Sequence, residues 1–407
     1  MTDFNPLESL ANMRHEFGEH GGVNMSIEAS TTFTVLEAET MPEIFQGRRG
    51  PEAGGCYLYG RHFNPTVYVL GRQLAALEGT EAGYATASGM SAIAATVLQL
   101  CERDDHVLAS RTIYGGTFAF FENFLPSRTG ISVDFIDATD LDAVRAAITD
   151  RTRLLFVETI ANPTLQVSDI AALAAIAHER HVKLVVDNTF APLIVSPARH
   201  GADVVVHSLT KFISGGSDII AGCVCGSQDL ISDMMSVHEG ALMLLGPTLD
   251  PKTAFELSLR IPHLGLRVAE HSRRAQVFAE RLAELGVKVV YPGLRNHPGH
   301  HALKRQMNEG FGYGGLISID LETQDRAYEF METLQNEDRF GYMAVSLGYF
   351  DTLMSASASS TSSEMPEAER DIAGVSPGLV RISVGYTGSL EQRWRQLEDA
   401  LRQMELV

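Results

Sequence analysis

Lys211 lies in the run His207-Ser208-Leu209-Thr210-Lys211-Phe212-Ile213-Ser214-Gly215-Gly216, and Asp187 closes the apolar run Val185-Val186-Asp187. Two apolar segments, 183–186 and 202–206, thus deliver an acid and an amine to neighbouring strand ends. An amine in that place can bond to a cofactor aldehyde, and a carboxylate can hold a pyridine nitrogen protonated, so the pair specifies a pyridoxal phosphate (PLP) site and proton removal at an amino acid carbon. Taken singly, each residue reads as an ordinary surface charge.

The neighbours change that reading. Ser208 and Thr210 flank the lysine with hydroxyls suited to phosphate oxygens, and Ser88-Gly89-Met90 precedes a helix expected over 91–100. A phosphate at a helix start meets unpaired backbone N–H groups and the positive end of the helix dipole.

These elements need a scaffold, and the hydrophobic pattern supplies one. Helices are expected over 91–100, 116–125, 141–148 and 169–179, interleaved with strands over 106–109, 133–136, 154–157 and 183–186. This α/β alternation predicts a mostly parallel sheet with helices on both faces. A helical stretch over 253–285, interrupted at Pro262, leads to strands over 287–290, 316–321 and 380–384 and helices over 325–334 and 390–403, a smaller C-terminal α/β domain. The boundaries are an N-terminal arm 1–65, a PLP-binding domain 66–260 and a C-terminal domain 261–407. The arm is loop-rich and needs a partner to pack against.

The matching stretches resemble the Cys/Met-metabolism PLP enzymes, which include cystathionine γ-synthase, cystathionine γ- and β-lyases, methionine γ-lyase and the homoserine sulfhydrylases. They run in family order from Tyr57 to Gly385: Tyr57-Leu58-Tyr59-Gly60-Arg61-His62-Phe63-Asn64-Pro65-Thr66, Ala87-Ser88-Gly89-Met90, Tyr114-Gly115-Gly116-Thr117, Glu158-Thr159-Ile160-Ala161-Asn162-Pro163-Thr164, Val186-Asp187-Asn188-Thr189-Phe190, the lysine segment, Ser346-Leu347-Gly348 and Leu379-Val380-Arg381-Ile382-Ser383-Val384-Gly385. The resemblance implies the PLP-dependent fold type I (aspartate aminotransferase-like) and a homotetramer, a dimer of dimers whose arm crosses to a neighbouring active site. It also implies roles. Lys211 carries PLP and then acts as the base; Tyr114 stacks on the cofactor ring and moves protons; Tyr59 and Arg61 grip the phosphate of the adjacent subunit. Arg381, helped by Ser346, takes the substrate carboxylate, and Asn162 lies near the cofactor oxygen and that carboxylate. Ser88, Gly89, Met90, Ser208 and Thr210 complete the phosphate site.

Two departures bear on the substrate. Methionine γ-lyases of the well-known type carry a cysteine where this chain has Gly116, and a Pro-Ala-x-Met-Thr-His-like loop is replaced by a serine-rich stretch, 354–364. That stretch reads either as a flexible linker or as a polar lid. As a lid it places Asp351 and Glu364 near the distal end of the substrate, which suits a polar or cationic leaving group.

The expected activity is γ-elimination from an L-amino acid to give 2-oxobutanoate and ammonia. Candidate substrates are methionine, homocysteine, cystathionine, an O-acylhomoserine and canavanine. γ-Replacement, as in a cystathionine γ-synthase or a sulfhydrylase, is the alternative, and a non-catalytic PLP-fold binding subunit is a third reading.

Composition narrows the remaining classes. The 407 residues carry 32 Lys+Arg against 51 Asp+Glu, a net charge of −19, which argues against nucleic acid or an anionic membrane as partner. No apolar run reaches the length of a membrane span and the start lacks a signal-peptide pattern, so a cytoplasmic protein is expected. Cys56, Cys101, Cys223 and Cys225 are too scattered for a disulfide scaffold. His297, His300 and His301 lack the partners of a metal site, so no metal is expected. The glycine pattern over 310–315 precedes a strand-like run where a dinucleotide site requires a helix, and it reads as a turn.

Overall fold

The computed structural model describes residues 4–13, 17–18, 20–51, 57–360 and 362–407. Cys56 and the first three residues lie outside them. The larger sheet holds β1 (Ala82–Thr86), β2 (His106–Ser110), β3 (Ser132–Ile136), β4 (Thr152–Glu158), β5 (Lys183–Asp187), β6 (Val204–Ser208) and β7 (Gly222–Gly226), in the order β1-β7-β6-β5-β4-β2-β3. From β6 to β3 all neighbours are parallel. Only β7 runs against its neighbours β1 and β6.

The parallel strands are apolar on both faces because helices cover both. Leu155, Val157, Leu184, Val186 and Val205 enter one core, while Phe156, Val185, Val204 and Val206 enter the other. In a sheet wound this way ligands gather outside the carboxyl ends of the strands. Glu158, Asp187 and Ser208 stand there, at the last positions of β4, β5 and β6.

The smaller sheet comprises β8 (Val289–Val290), β9 (Leu316–Asp320), β10 (Tyr342–Met343), β11 (Leu353–Ala356) and β12 (Leu379–Ser383), in the order β10-β11-β12-β9-β8. The helix Leu264–Glu284 ties the sheets together, since Leu264 and Val268 pack in the first core and Ala275, Phe278 and Leu282 in that of the smaller sheet.

Several expectations over the chain change. The helix Pro65–Glu78 stands where the pattern gave none; Asn64 caps it by accepting from the N–H groups of Thr66 and Val67, Pro65 opens it, and Gly79 closes it with φ 71°. The arm also contains short helices at Pro6–Met13 and Thr40–Phe45. The helix expected over 116–125 divides into Gly115–Ala119, a π-turn at Phe120–Phe124 and Leu125–Thr129. The serine-rich stretch is part sheet and part 3-10 turn, Leu353–Ala356 followed by Ser357–Ser359, with Thr361 outside the described residues.

Cys101, Cys223 and Cys225 are buried and unpaired. His300 is buried and bonded through Nδ1 to the Pro292 carbonyl, and no group of three candidate metal ligands occurs among the described residues. None of their helices is long and apolar enough to cross a membrane.

Candidate active site

A cavity of about 490 Å³ opens where the carboxyl ends of β4, β5 and β6 face the smaller sheet, and Lys211, Asp187, Glu158, Tyr114, Ser346 and Arg381 all line it. At the base of its phosphate side, Ser88 caps the helix Gly89–Leu100 by accepting from the Ser91 N–H at 3.1 Å. In that cap the Ser88 oxygen only accepts, which leaves its O–H, with the backbone N–H groups of Gly89 and Met90, to donate to an anion. Gly89 permits this approach, because a Cβ there would stand 2.7 Å from the Ser208 side chain. Ser208 and Thr210 line the same end.

Lys211 is half-buried, and its Nζ donates to Ser346 Oγ at 3.0 Å. Burial first, then the nearby charge of Arg381, pulls its ammonium pKa down to about 8. Arg267 holds the loop after the lysine by donating from Nη2 to the Ile213 carbonyl at 2.9 Å and from Nη1 to that of Phe212.

Arg381, on β12, is 1% exposed. Its Nη1 donates to Asn162 Oδ1 at 3.2 Å and its Nη2 to the Ser346 carbonyl at 2.6 Å, while its Nε is buried without a partner. No carboxylate pairs with it among the described residues. A buried guanidinium without a counter-charge is costly until an anion arrives, so an anionic group would be stabilised here. Ser346 serves both cations from a backbone with φ 95°, a conformation a serine adopts only when its surroundings compel it.

Asp187 and Glu158 are cross-strand neighbours and are 8% and 7% exposed. Burial raises both carboxyl pKa values, and the charge of Asp187 raises that of Glu158 further. A cationic ring nitrogen against Asp187 would relieve that cost. Glu158 also organises the walls: Oε1 accepts from the Tyr114 N–H at 2.6 Å and Oε2 from the Asn162 N–H at 3.2 Å. The motif 158–164 assigns Glu158 no task from sequence; its place at the end of an apolar run, like that of Asp187, is the available signal.

Tyr114 is 43% exposed at the cavity mouth, and its phenol pKa is raised by burial and then by Glu364 and Glu158. A Cβ on Gly116 would stand 2.6 Å from the Tyr114 ring, so the ring rests directly on the glycine.

The structure therefore gathers Lys211, Asp187, Ser208, Thr210, Ser88, Gly89, Met90, Tyr114, Asn162, Arg381, Ser346 and Glu364 around one cavity. It does not bring Asp351 there, because Arg393 Nη2 holds the Asp351 carboxylate at 3.1 Å. Tyr59 and Arg61 also stay off the cavity wall; Arg61 Nη1 donates to the Met243 carbonyl at 2.7 Å, and the Tyr59 ring is 47% exposed.

The residues present fit PLP: a depressed lysine for its aldehyde, a buried carboxylate for its ring nitrogen, and a helix start with two hydroxyls for its phosphate. Known proteins agree. The chain is 59% identical over 405 residues to a methionine gamma-lyase of Arabidopsis thaliana, covering 99% of this chain and 92% of that one. It is 38% identical to an L-methionine gamma-lyase of Fusobacterium nucleatum subsp. polymorphum, over 95% of each. A solved Campylobacter jejuni protein described as an O-acetylhomoserine (thiol)-lyase, with N'-pyridoxyl-lysine-5'-monophosphate in place, superposes with a TM-score of 0.90 at 26% identity, covering 98% of this chain and all of that one. A family model described as "Cys/Met metabolism PLP-dependent enzyme" matches residues 9–401. With PLP as its cofactor, the chain belongs to that family of Cys/Met-metabolism enzymes.

Proposed function

We propose that the protein is a γ-eliminating lyase that releases 2-oxobutanoate and ammonia from an L-amino acid bearing a leaving group on Cγ. The observation that carries this is the pairing of a buried, anion-less Arg381 with a Lys211 amine of depressed pKa across one cavity. When bound, PLP stabilises negative charge at the carbons next to the substrate amine.

The chain's own residues do the rest. Arg381 fixes the substrate carboxylate with a planar fork, assisted by Asn162 and Ser346. That contact turns the Cα–H toward Lys211, whose neutral amine takes the proton. The hydrogen bond to Ser346 Oγ holds Nζ in place meanwhile. Asp187 keeps the ring nitrogen cationic. Tyr114, above a pocket floor that keeps its phenol protonated at neutral pH, is placed to hand a proton to the departing group.

Methionine-type substrates suit the apolar mouth made by Ile220, Val345 and Leu347. Glu364 and Ser360 supply a polar side to the same mouth, which admits a polar or cationic leaving group such as that of canavanine. We read residues 66–260 and 261–407 as the two domains, joined by the helix Leu264–Glu284. Exposed Phe45, Tyr59, Leu244 and Leu245 lie on or near the arm side of the fold, and apolar exposure of this kind supports assembly with further copies, with Tyr59 and Arg61 serving a neighbour's phosphate site in a tetramer. Three buried unpaired thiols suit a reducing, cytoplasmic setting.

The test is keto-acid release by PLP-loaded protein over a panel of γ-substituted amino acids, with and without cysteine or sulfide. Rapid 2-oxobutanoate that thiol leaves unchanged supports the lyase. Diversion by thiol into a new amino acid makes it a γ-replacement enzyme instead.

A further inference from the structure

Beneath the cavity lies a buried polar group that the chemistry above leaves without a task. Glu78, the last residue of the helix Pro65–Glu78, is 3% exposed, and His207 on β6 is 2% exposed. Their side chains meet at 2.7 Å between Oε1 and Nε2. The same Glu78 oxygen accepts from Asn188 Nδ2 at 3.1 Å, and Asn188 Oδ1 accepts from Thr159 Oγ1 at 2.7 Å. Thr159 N–H in turn donates to the Asp187 carbonyl at 3.1 Å.

Three members of this network adjoin a residue of the cavity. Thr159 follows Glu158, Asn188 follows Asp187, and His207 precedes Ser208. A buried carboxylate and imidazole are expensive to keep, since their desolvation is repaid only by good geometry. Here Glu78 Oε2 and His207 Nδ1 remain buried without a partner, so the network is not the cheapest filling for this space. An apolar pair would pack as well but could not tie three strand ends together.

We propose that Glu78, through His207 and Asn188, is a positioning residue for Asp187: it fixes the ends of β4, β5 and β6 in register and sets a polar, imidazole-bearing floor behind the carboxylate. The charged and titratable groups around His207 are Glu78 on the helix, Asp187 on β5 and Cys223, its cross-strand neighbour on β7. Burial holds the Cys223 thiol neutral. Burial raises the Asp187 carboxyl pKa, whereas the hydrogen bonds from Thr189 and, after them, the charge of His207 pull it back toward the ionised form that a cationic ring nitrogen requires. This inference rests on the reading of Asp187 as the partner of that nitrogen.

The experiment compares Glu78→Gln, Asp187→Asn and the double variant, starting from the full-length holoenzyme. Three quantities are read: PLP affinity after resolution and reconstitution, the pH dependence of the cofactor's visible absorbance, and the melting temperature of the PLP-free protein. Glu78→Gln is expected to weaken PLP binding roughly ten- to hundredfold, the range for partners that orient a ligand's own contact, and to move the absorbance titration. Both changes should vanish when Asp187 is already Asn. A Glu78→Gln protein with a lower melting temperature but unchanged affinity and absorbance titration would overturn the proposal, as would full additivity in the double variant. An Asp187→Asn protein with unaltered affinity and spectrum would overturn the reading of Asp187 itself. Should Glu78→Gln not fold, His207→Gln removes the same pair and is judged by the same three readings.

Discussion

At the floor of the cavity Glu158, Asp187 and Arg381 are 7%, 8% and 1% exposed, whereas at its mouth Tyr114, Val345 and Ile220 are 43%, 62% and 72% exposed. The floor residues stand on strands and bond to one another's loops. The mouth residues stand on loops, and Glu364 makes no hydrogen bond or ion pair among the described residues. Rigid strands are where a reaction common to many substrates is best held, while loops at the rim are where a choice among substrates is cheaply altered. Changes at the floor should therefore weaken turnover or binding of every substrate alike, and changes at the mouth should redirect the choice among them.

The largest effect is expected at Lys211. Lys211→Ala should lose the visible absorbance of lysine-bound cofactor and lower kcat by about 10²–10⁴-fold, the usual contribution of a positioned base; a spectrum and rate close to those of the parent would break the division at its centre. Arg381→Lys comes next, with kcat/KM lower by roughly 10–100-fold, because a point ammonium cannot reproduce the fork in a buried site. Steady-state kinetics that show the loss mainly in KM would assign Arg381 to binding as expected.

Gly116→Ala lies between the two regions. Its methyl would meet the Tyr114 ring at 2.6 Å, so the ring must shift. A loss of about tenfold in kcat is expected, since small displacements of a reacting group carry large rate penalties, with little change in melting temperature because the ring is partly exposed. An unchanged kcat would move Tyr114 out of the chemistry.

The pH profile sharpens the comparison further. Burial and Arg381 disfavour the ammonium of Lys211, and the base works when neutral, so kcat should climb as pH rises through about 8. Removing the positive charge in Arg381→Met should shift that limb upward, toward the ordinary lysine value of 10.5. The smallest effect belongs to the rim. Glu364→Gln should change the preference between cationic and neutral leaving groups by less than about tenfold while leaving stability alone; equal loss on every substrate would place Glu364 with the floor.

Much of the floor was legible because its signals are local. Apolar runs ending in Asp187 and in the lysine segment, and a serine-glycine pair before a helix, announce their geometry within a few residues. The remainder depends on pairings far apart in the chain. Nothing near Asp351 reveals that Arg393 takes it, and nothing near Phe212 reveals the grip of Arg267 on its carbonyl. The helix Pro65–Glu78 carried its cap and stop in the sequence, yet its small and polar residues blurred the apolar stripe. The reversed direction of β7 had no local sign at all, because Gly-Cys-Val-Cys-Gly fits a parallel or an antiparallel neighbour equally well.

Tyr59 and Arg61 do not line the cavity of their own chain, so if they serve a neighbour's phosphate site a working site is composite. Two variants, each inert alone, one lacking Lys211 and the other lacking Arg61, would then restore some intact sites when unfolded and refolded together. Genetic complementation between defective alleles of a single gene is the signature such a division of labour leaves.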